Sequence, residues 1–539
     1  MGGPARGVNS STKREQRRKE VRRSSVGFSD AETGANMQVV WFKRDLRVDD
    51  HWPLAKAAAA GPCLCLYVYE PEIIHSEEFD ASHLQFINES LGELDSRLRD
   101  LGGSLTLRVG SMPDVLSALH SDHGIAALWS HEETGNKISY DRDTRVAAWV
   151  KQHGIPWNET PQNGVVRRLK SRDGWSKQRN TFLKQPMADA PTKLTHPASV
   201  ASGRLHTPRD LGLSSTMKSE LQQGGEKTAT ETLRTFLFER GQSYSGEMSS
   251  PVTAADSCSR LSPYLAWGCI SMKRVTHELR DRQRHLRELK ATGEPIGGWL
   301  KSLRAFESRL SWHCHFMQKL EDEPSIEFEN MSRVYDGLRE DEFDQNRFDA
   351  WCEGQTGYPM VDACMRALHQ HSWINFRMRA MLVSFASYHL WLHWRPTAVY
   401  LARHFLDFEP GIHFSQFQMQ SGTTGINTVR IYSPIKQVKD QDPTGRFIRQ
   451  YVPELAAVPD KHIAEPHKMT LSEQSKSGCL IGTDYPLPVI EHSVAYKAAR
   501  ERMYAVRRRD EAKSEAKRVV EKHGSRKRTT RKPKPARTG

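Results

Sequence analysis

The sequence predicts an α/β domain with a doubly wound parallel sheet, followed by an all-α domain. Three observations carry this. Short apolar runs alternate with helix-period stretches up to about residue 165. A stretch rich in Arg, Ser, Gly and Pro, with weak periodicity, follows. From Glu226 onward the pattern is helical, with many tryptophans and few strand-like runs.

The elements follow in order. Residues 1–36 lack apolar periodicity and read as a disordered basic extension. Met37 opens directly onto Gln38-Val39-Val40-Trp41-Phe42, a buried-type strand. A second strand is Cys63 to Tyr69, a third lies around Leu105–Val109 and a fourth around Ile125–Trp129. Between the second and third, His83–Leu101 places Leu84, Phe86, Ile87, Leu91 and Leu94 at helical spacing. This alternation defines a domain over 37–165, and such sheets bind ligands at the carboxyl ends of their strands. Residues 166–226 read as an inter-domain linker and 227–483 as the helical domain. Residues 484–539 begin with Pro486 and Pro488, continue as a charged helix from Val494 to Glu521, and end in Arg/Lys/Pro-rich coil.

The formal net charge is +13 over 539 residues, but it sits at the ends. Residues 1–36 carry +4 and residues 500–539 carry +11, leaving the body near −2. The tails therefore attract phosphates without sequence preference, and any groove for nucleic acid in the body is a local patch. The eight cysteines are scattered with no CxxC pair, which reads as reduced core thiols and argues against a zinc or iron–sulphur site; no metal is expected. No apolar run is long enough to span a membrane, and no signal peptide opens the chain.

The opening strand continues as Trp41-Phe42-Lys43-Arg44-Asp45-Leu46-Arg47-Val48-Asp49-Asp50. The helical half contains Gly224-Gly225 followed by Ala229, Leu233 and Phe236, then Ser259-Arg260-Leu261-Ser262-Pro263-Tyr264-Leu265 with Gly268-Cys269-Ile270-Ser271. Gly357-Tyr358-Pro359-Met360-Val361-Asp362-Ala363, Arg430-Ile431-Tyr432-Ser433-Pro434 and Phe447-Ile448-Arg449-Gln450-Tyr451-Val452-Pro453-Glu454-Leu455 follow. In this order, over roughly 38–457, the motifs resemble those of the DNA photolyase and cryptochrome family. The resemblance implies an antenna domain before an FAD domain, FAD as catalytic cofactor, and an antenna chromophore of folate or deazaflavin type.

Physically, a diphosphate needs hydroxyls and free N–H donors, and Ser257, Ser259 and Ser262 before an apolar helix supply them. The same residues also suit a plain helix cap; the resemblance favours phosphate and extends the segment to Cys258, Arg260 and Leu261, with Cys258 where the family has Thr. It also implies cofactor contacts for Tyr244, for Arg379 with Asp407 beside the ring, for Glu409, and for Arg309 at the pocket. His413 falls at the position facing flavin N5, where a His has proton-transfer capacity. Trp312 matches the family's lesion-stacking Trp. Around it the pattern departs. Arg309 stands where cyclobutane-dimer enzymes have Glu, His313 replaces Arg and Ala380 replaces Met. Phe376 takes the slot of a lesion-contacting Asn, with Asn375 one residue before. Trp394 matches the middle member of the electron-transfer triad, whose flavin-proximal member is Phe417 or Met419, so an intact triad is not expected. Arg430, Lys436, Lys439 and Arg446 form a DNA-backbone rim.

The function implied is light-driven repair, in which reduced FAD transfers an electron to a flipped-out pyrimidine dimer. A cryptochrome-type photoreceptor without repair, or a DNA-binding flavoprotein, stay open. The implied partner is UV-damaged DNA, bound by a monomer. The implied location is the cytoplasm and nucleoid of a bacterium, or the nucleus or plastid of a eukaryote.

Overall fold

β1 (Met37–Phe42) is buried along its whole length. Its side chains alternate between two cores. Val39 and Trp41 pack on one face with Leu64, Leu66 and Leu128, while Val40 and Phe42 pack on the other with Cys63 and Cys65. β1 lies between β2 (Cys63–Tyr69) and β4 (Ile125–His131), with β3 (Leu105–Val109) and β5 (Trp157–Thr160) at the edges. All four pairings are parallel, in the order β3-β2-β1-β4-β5. Helix α1 (Ala81–Asp100) covers one face with Leu84, Ile87, Leu91 and Leu94. α2 (Met112–His123) and α3 (Lys137–Gln152) cover the other through Leu116, Val146 and Trp149. The sheet is thus doubly wound, as the sequence implies. β5 went unread because its four residues, Trp-Asn-Glu-Thr, are only half buried and make no apolar run.

The computed structural model describes residues 1–3, 36–197, 199–213, 218 and 220–525. The disorder expected before Met37 and in the terminal coil falls mainly on residues outside this set. Within 166–226 the chain forms a helix at Trp175–Phe182 and lies along the sheet. Thr195 and Ser202 accept from the Cys63 and Leu107 amides at 2.8 and 2.6 Å.

From Glu226 the fold is helical. Its first helix, α4 (Glu226–Thr235), joins the core beneath the sheet through Ala229 and Leu233. The two halves lock closely. Arg47 donates to the Gly268 carbonyl at 2.9 Å, and Leu46 N–H to the Trp267 carbonyl at 3.2 Å. Gly268 has φ +68°, and a Cβ there would strike the Arg44 backbone, so glycine is needed for both reasons. The charged helix expected over 494–521 is two helices, α9 (His492–Arg507) and α10 (Asp510–His523), broken at Arg508–Arg509. α9 buries Ala499, Met503 and Val506 against Tyr335, Tyr388 and Trp391. α10 is fixed by Arg518, Lys522 and His523, which all meet Glu323.

Candidate flavin and nucleic-acid site

Four helices carry most of the site: α5 (Trp299–Asp322), α6 (Phe376–Ser384), α7 (Trp394–His404) and α8 (Pro410–Ser421). Arg379 and Asp407 form a two-pronged ion pair, with both N···O distances 2.9 Å. Burial would raise the Asp407 carboxyl, but Arg379 and the Ser262 hydroxyl hold it below its ordinary value. Arg379 also donates through Nε to the Ile374 carbonyl at 2.9 Å and lies 4.0 Å over the Phe405 ring.

His413 is buried, with Nε2 2.8 Å from the Ala398 carbonyl. Burial pushes its pKa down to about 4, so the ring is neutral near pH 7. A neutral ring that donates through Nε2 keeps Nδ1 as an acceptor. Phe417 lies 4.6 Å from it and Phe414 5.5 Å. Phe414 in turn meets the Trp394 ring at 6.4 Å, edge-on. Trp394 is fully buried and donates Nε1 to Asn330 at 2.8 Å. Glu409 is turned from Asp407 toward His313, 2.9 Å away. Burial opposes charge on His313, yet Glu409 pushes its pKa up to about 10.

The Ser257–Ser262 segment is compact. Ser257 donates back to the Thr253 carbonyl at 3.1 Å, and Ser259 accepts from Leu261 N–H at 3.4 Å. The helix after it runs only over Ser262–Ala266, so any hold on an anion comes from side chains more than from a long helix dipole. Those side chains are guanidiniums. Burial pushes the Cys258 thiol up to about 11 even though Arg260, Arg240, Arg309 and Arg379 all act to lower it. Arg240 donates to the Cys258 and Ser259 carbonyls, the latter at 2.7 Å. Arg260 donates to Gln222 at 3.0 Å and lies 3.9 Å over the Trp373 ring. Tyr244, buried beside Arg309, has its phenol pushed up to about 12 by burial. Among the described residues, Arg240, Arg260 and Arg309 have no carboxylate partner. Arg240 spends its N–H groups bracing the segment, and Arg260, a guanidinium without an acid at a Ser-rich segment, fits a diphosphate.

The mouth of the site is different. Trp312 and Phe376 are 41% and 43% exposed, and the Arg309 guanidinium lies 5.4 Å from the Phe376 ring. Asn375 is buried and gives its amide to the Met248 and Ser249 carbonyls at 3.1 and 2.9 Å. Its amide N–H groups are therefore not offered at the mouth. The carbonyl of Arg430 is held by Ser384, at the far end of the helix that Phe376 begins. That places the Arg430 carbonyl about 12 Å along the helix from Phe376. Arg430, Lys436, Lys439 and Arg446 are exposed, and Lys436 pairs with Asp440 at 2.9 Å.

A family model described as the FAD binding domain of DNA photolyase matches residues 306–505, and one described as DNA photolyase matches 38–182. The chain belongs to the DNA photolyase and cryptochrome family. A cryptochrome DASH of Gloeobacter violaceus is 29% identical over 509 residues, covering 87% of this chain and 97% of the relative. A deoxyribodipyrimidine photo-lyase of Alkalihalophilus pseudofirmus is 26% identical over 496 residues, covering 88% and 98%. The crystal structure of a class III photolyase from Agrobacterium tumefaciens superposes with a TM-score of 0.77 at 26% identity, covering 90% of this chain and all of that one.

The helical half is therefore an FAD-binding domain and the sheet a photolyase-type antenna domain. A crevice opens at the carboxyl ends of β1, β2 and β4, where an open α/β sheet binds ligands. Lys43, Arg44 and Arg142 face Glu70 and Glu133 across it, and Phe408 and Pro410 of the FAD domain close it. Nearby, Asp45, His51 and His131 converge as a potential metal triad. Their hydrogen bonds explain them without an ion. His51 Nδ1 accepts from Leu54 N–H, so its Nε2 carries the proton and donates it to Asp45 at 3.0 Å. Sequence reasoning missed Arg240, whose bonds go to backbone carbonyls and leave no motif, and Trp373, which reads as a core tryptophan but is only half-buried.

Proposed function

We propose that the chain is a light-driven DNA repair flavoprotein of the deoxyribodipyrimidine photo-lyase type, acting on UV-damaged DNA. The observation that supports this best is the mouth. Phe376 stands exposed beside the Arg309 guanidinium, one helical turn from Arg379, and Trp312 is exposed one turn along from Arg309 on α5. Exposed rings with an unpaired cation suit a flipped dinucleotide, which offers stacking faces and a phosphate. Bound FAD supplies light absorption and one-electron chemistry. Arg379, fixed by Asp407, puts positive charge at the ring, and Arg260 with the Ser257–Ser262 segment holds the diphosphate, while Arg240 braces that segment through its Cys258 and Ser259 carbonyls. His413 stays neutral and keeps an acceptor nitrogen. Arg430, Lys439 and Arg446 hold the backbone of the flanking strand.

A second reading, a photoreceptor without repair, is favoured by two features of the mouth. The acid of cyclobutane-dimer enzymes is replaced by Arg309, and Asn375 spends its amide on the backbone. The deciding experiment is illumination of the photoreduced protein with dimer-containing single-stranded DNA. Loss of the lesion establishes repair. Full retention of the lesion alongside normal flavin photochemistry gives first place to the photoreceptor.

A further inference from the structure

Residues 405–409 carry Asp407, and nearly every peptide of this segment is tied down from outside. His83 Nε2 meets the Phe405 carbonyl at 3.0 Å. Trp267 Nε1 donates to the Leu406 carbonyl at 2.9 Å, and Leu406 N–H donates to Ser372 at 3.0 Å. Arg44 donates to the Phe408 carbonyl at 2.9 Å, and Glu409 meets His313. Two of these groups, His83 on α1 and Arg44 just after β1, belong to the antenna domain. They flank Asp407 on either side in sequence. Arg44 is itself fixed, with its guanidinium 4.4 Å over the Trp267 ring. His83 is buried and Arg44 half-buried, so water is shut out of the first bond and competes only partly for the second.

We propose that Arg44 and His83 are positioning residues of the flavin site: the antenna domain holds the Phe405–Phe408 carbonyls so that the Asp407 carboxylate meets Arg379 with both oxygens. The segment has no helix or strand of its own to set its course, since it lies between α7 and α8. Without the two donors, the Phe408 carbonyl loses its partner, the Phe405 carbonyl keeps only Phe408 N–H at 2.9 Å, and the stretch beyond the Leu406 anchors gains freedom to turn. The carboxylate then loses its aim on Arg379. The arrangement makes the antenna domain part of the redox site even when its crevice holds no chromophore. It also gives the crevice a path to the flavin. Arg44 and Phe408 both line it, and the Phe408 ring lies 5.2 Å from His413, edge-on. This inference rests on the reading that Arg379 and Asp407 hold FAD.

The test uses the full-length protein with FAD, comparing Arg44→Gln, Arg44→Lys, His83→Leu and Arg379→Ala. Affinity for FAD, the absorption bands of the bound flavin and the melting temperature are read for each. Arg44→Gln is expected to weaken FAD binding roughly tenfold, as loss of a charged hydrogen bond implies, and to shift the flavin bands. Arg44→Lys, which keeps a charged donor, should recover most of both. His83→Leu should act in the same direction and carries the test if Arg44→Gln fails to fold. Wild-type FAD affinity and spectrum in Arg44→Gln and His83→Leu, with only the melting temperature lowered, would overturn the proposal and leave these residues as inter-domain glue. If Arg379→Ala also leaves FAD affinity and spectrum untouched, it is the flavin-site reading itself that falls.

Discussion

The segment around Asp407 and the mouth around Trp312 lie within one domain yet are built on opposite principles. At Asp407, charges are paired, carbonyls are bound, and two domains contribute donors. At the mouth, Trp312 and Phe376 are left exposed and Arg309 lacks an acid. A permanently bound cofactor rewards a rigid, fully bonded cradle, because any slack costs affinity. A transient ligand needs faces free in the absence of that ligand. On the proposed function, the contrast separates what grips from what samples.

The largest expected break is Arg379→Ala. It leaves the buried Asp407 carboxylate without its partner, which should cost about 3–5 kcal/mol and release FAD. Thermal melting and FAD content after gel filtration check both. Acid should come next. His83, His369 and His413 are held down to about 4, and His131, His389 and His404 to about 3, chiefly by burial. In the unfolded chain such groups take protons near pH 6.5. Unfolding therefore binds protons between these limits, and stability is full above about 6.5 and falls as pH drops toward 4. Each group near 4 should cost about 2 kcal/mol by pH 5, seen as a fall in melting temperature. The mouth has no such histidine. Acid that releases FAD without altering Trp312 fluorescence would sharpen the contrast, while both changing together would break it.

Trp312→Ala should cost about 1–3 kcal/mol of lesion binding, by titration against damaged and intact oligonucleotides, with intact duplex bound as before and FAD content unchanged. Equal loss on intact DNA would make Trp312 part of the backbone rim. The smallest effect is expected from the tail. Removing all of 500–539 would take away Met503 and Val506, which are buried, so the cut belongs after residue 525. Deleting residues 526–539 removes seven Lys/Arg and should lower the salt slope of DNA binding by up to about 0.9 for each phosphate no longer neutralised, with lesion preference intact.

What was legible in the sequence follows the same divide. β1 to β4 could be read because strands buried on both faces leave apolar runs. Arg379 and Asp407 were legible only through a family pattern, because nothing local marks a pair 28 residues apart. The braces could not be read at all. Arg44 acts on a carbonyl 364 residues away, and any residue type supplies a carbonyl, so the receiving end carries no signature. Glu409 stood where a second flavin acid was expected, and its pairing with His313 depends on how two helices meet. The break at Arg508–Arg509 has neither Gly nor Pro to announce it.

The length of that brace has a consequence during synthesis. The sheet closes within residues 37–160, so the antenna domain can take shape as soon as it leaves the ribosome. Its Arg44 then waits for Phe408. At roughly 5–20 residues per second the interval of 364 residues is about 20–70 s. For that time the Arg44 guanidinium and the nearby Phe42 stand beside an interface not yet made. The nascent chain is most exposed to mispairing in this window, and slowing translation before residue 408 should lower the yield of flavin-loaded protein more than slowing it afterwards.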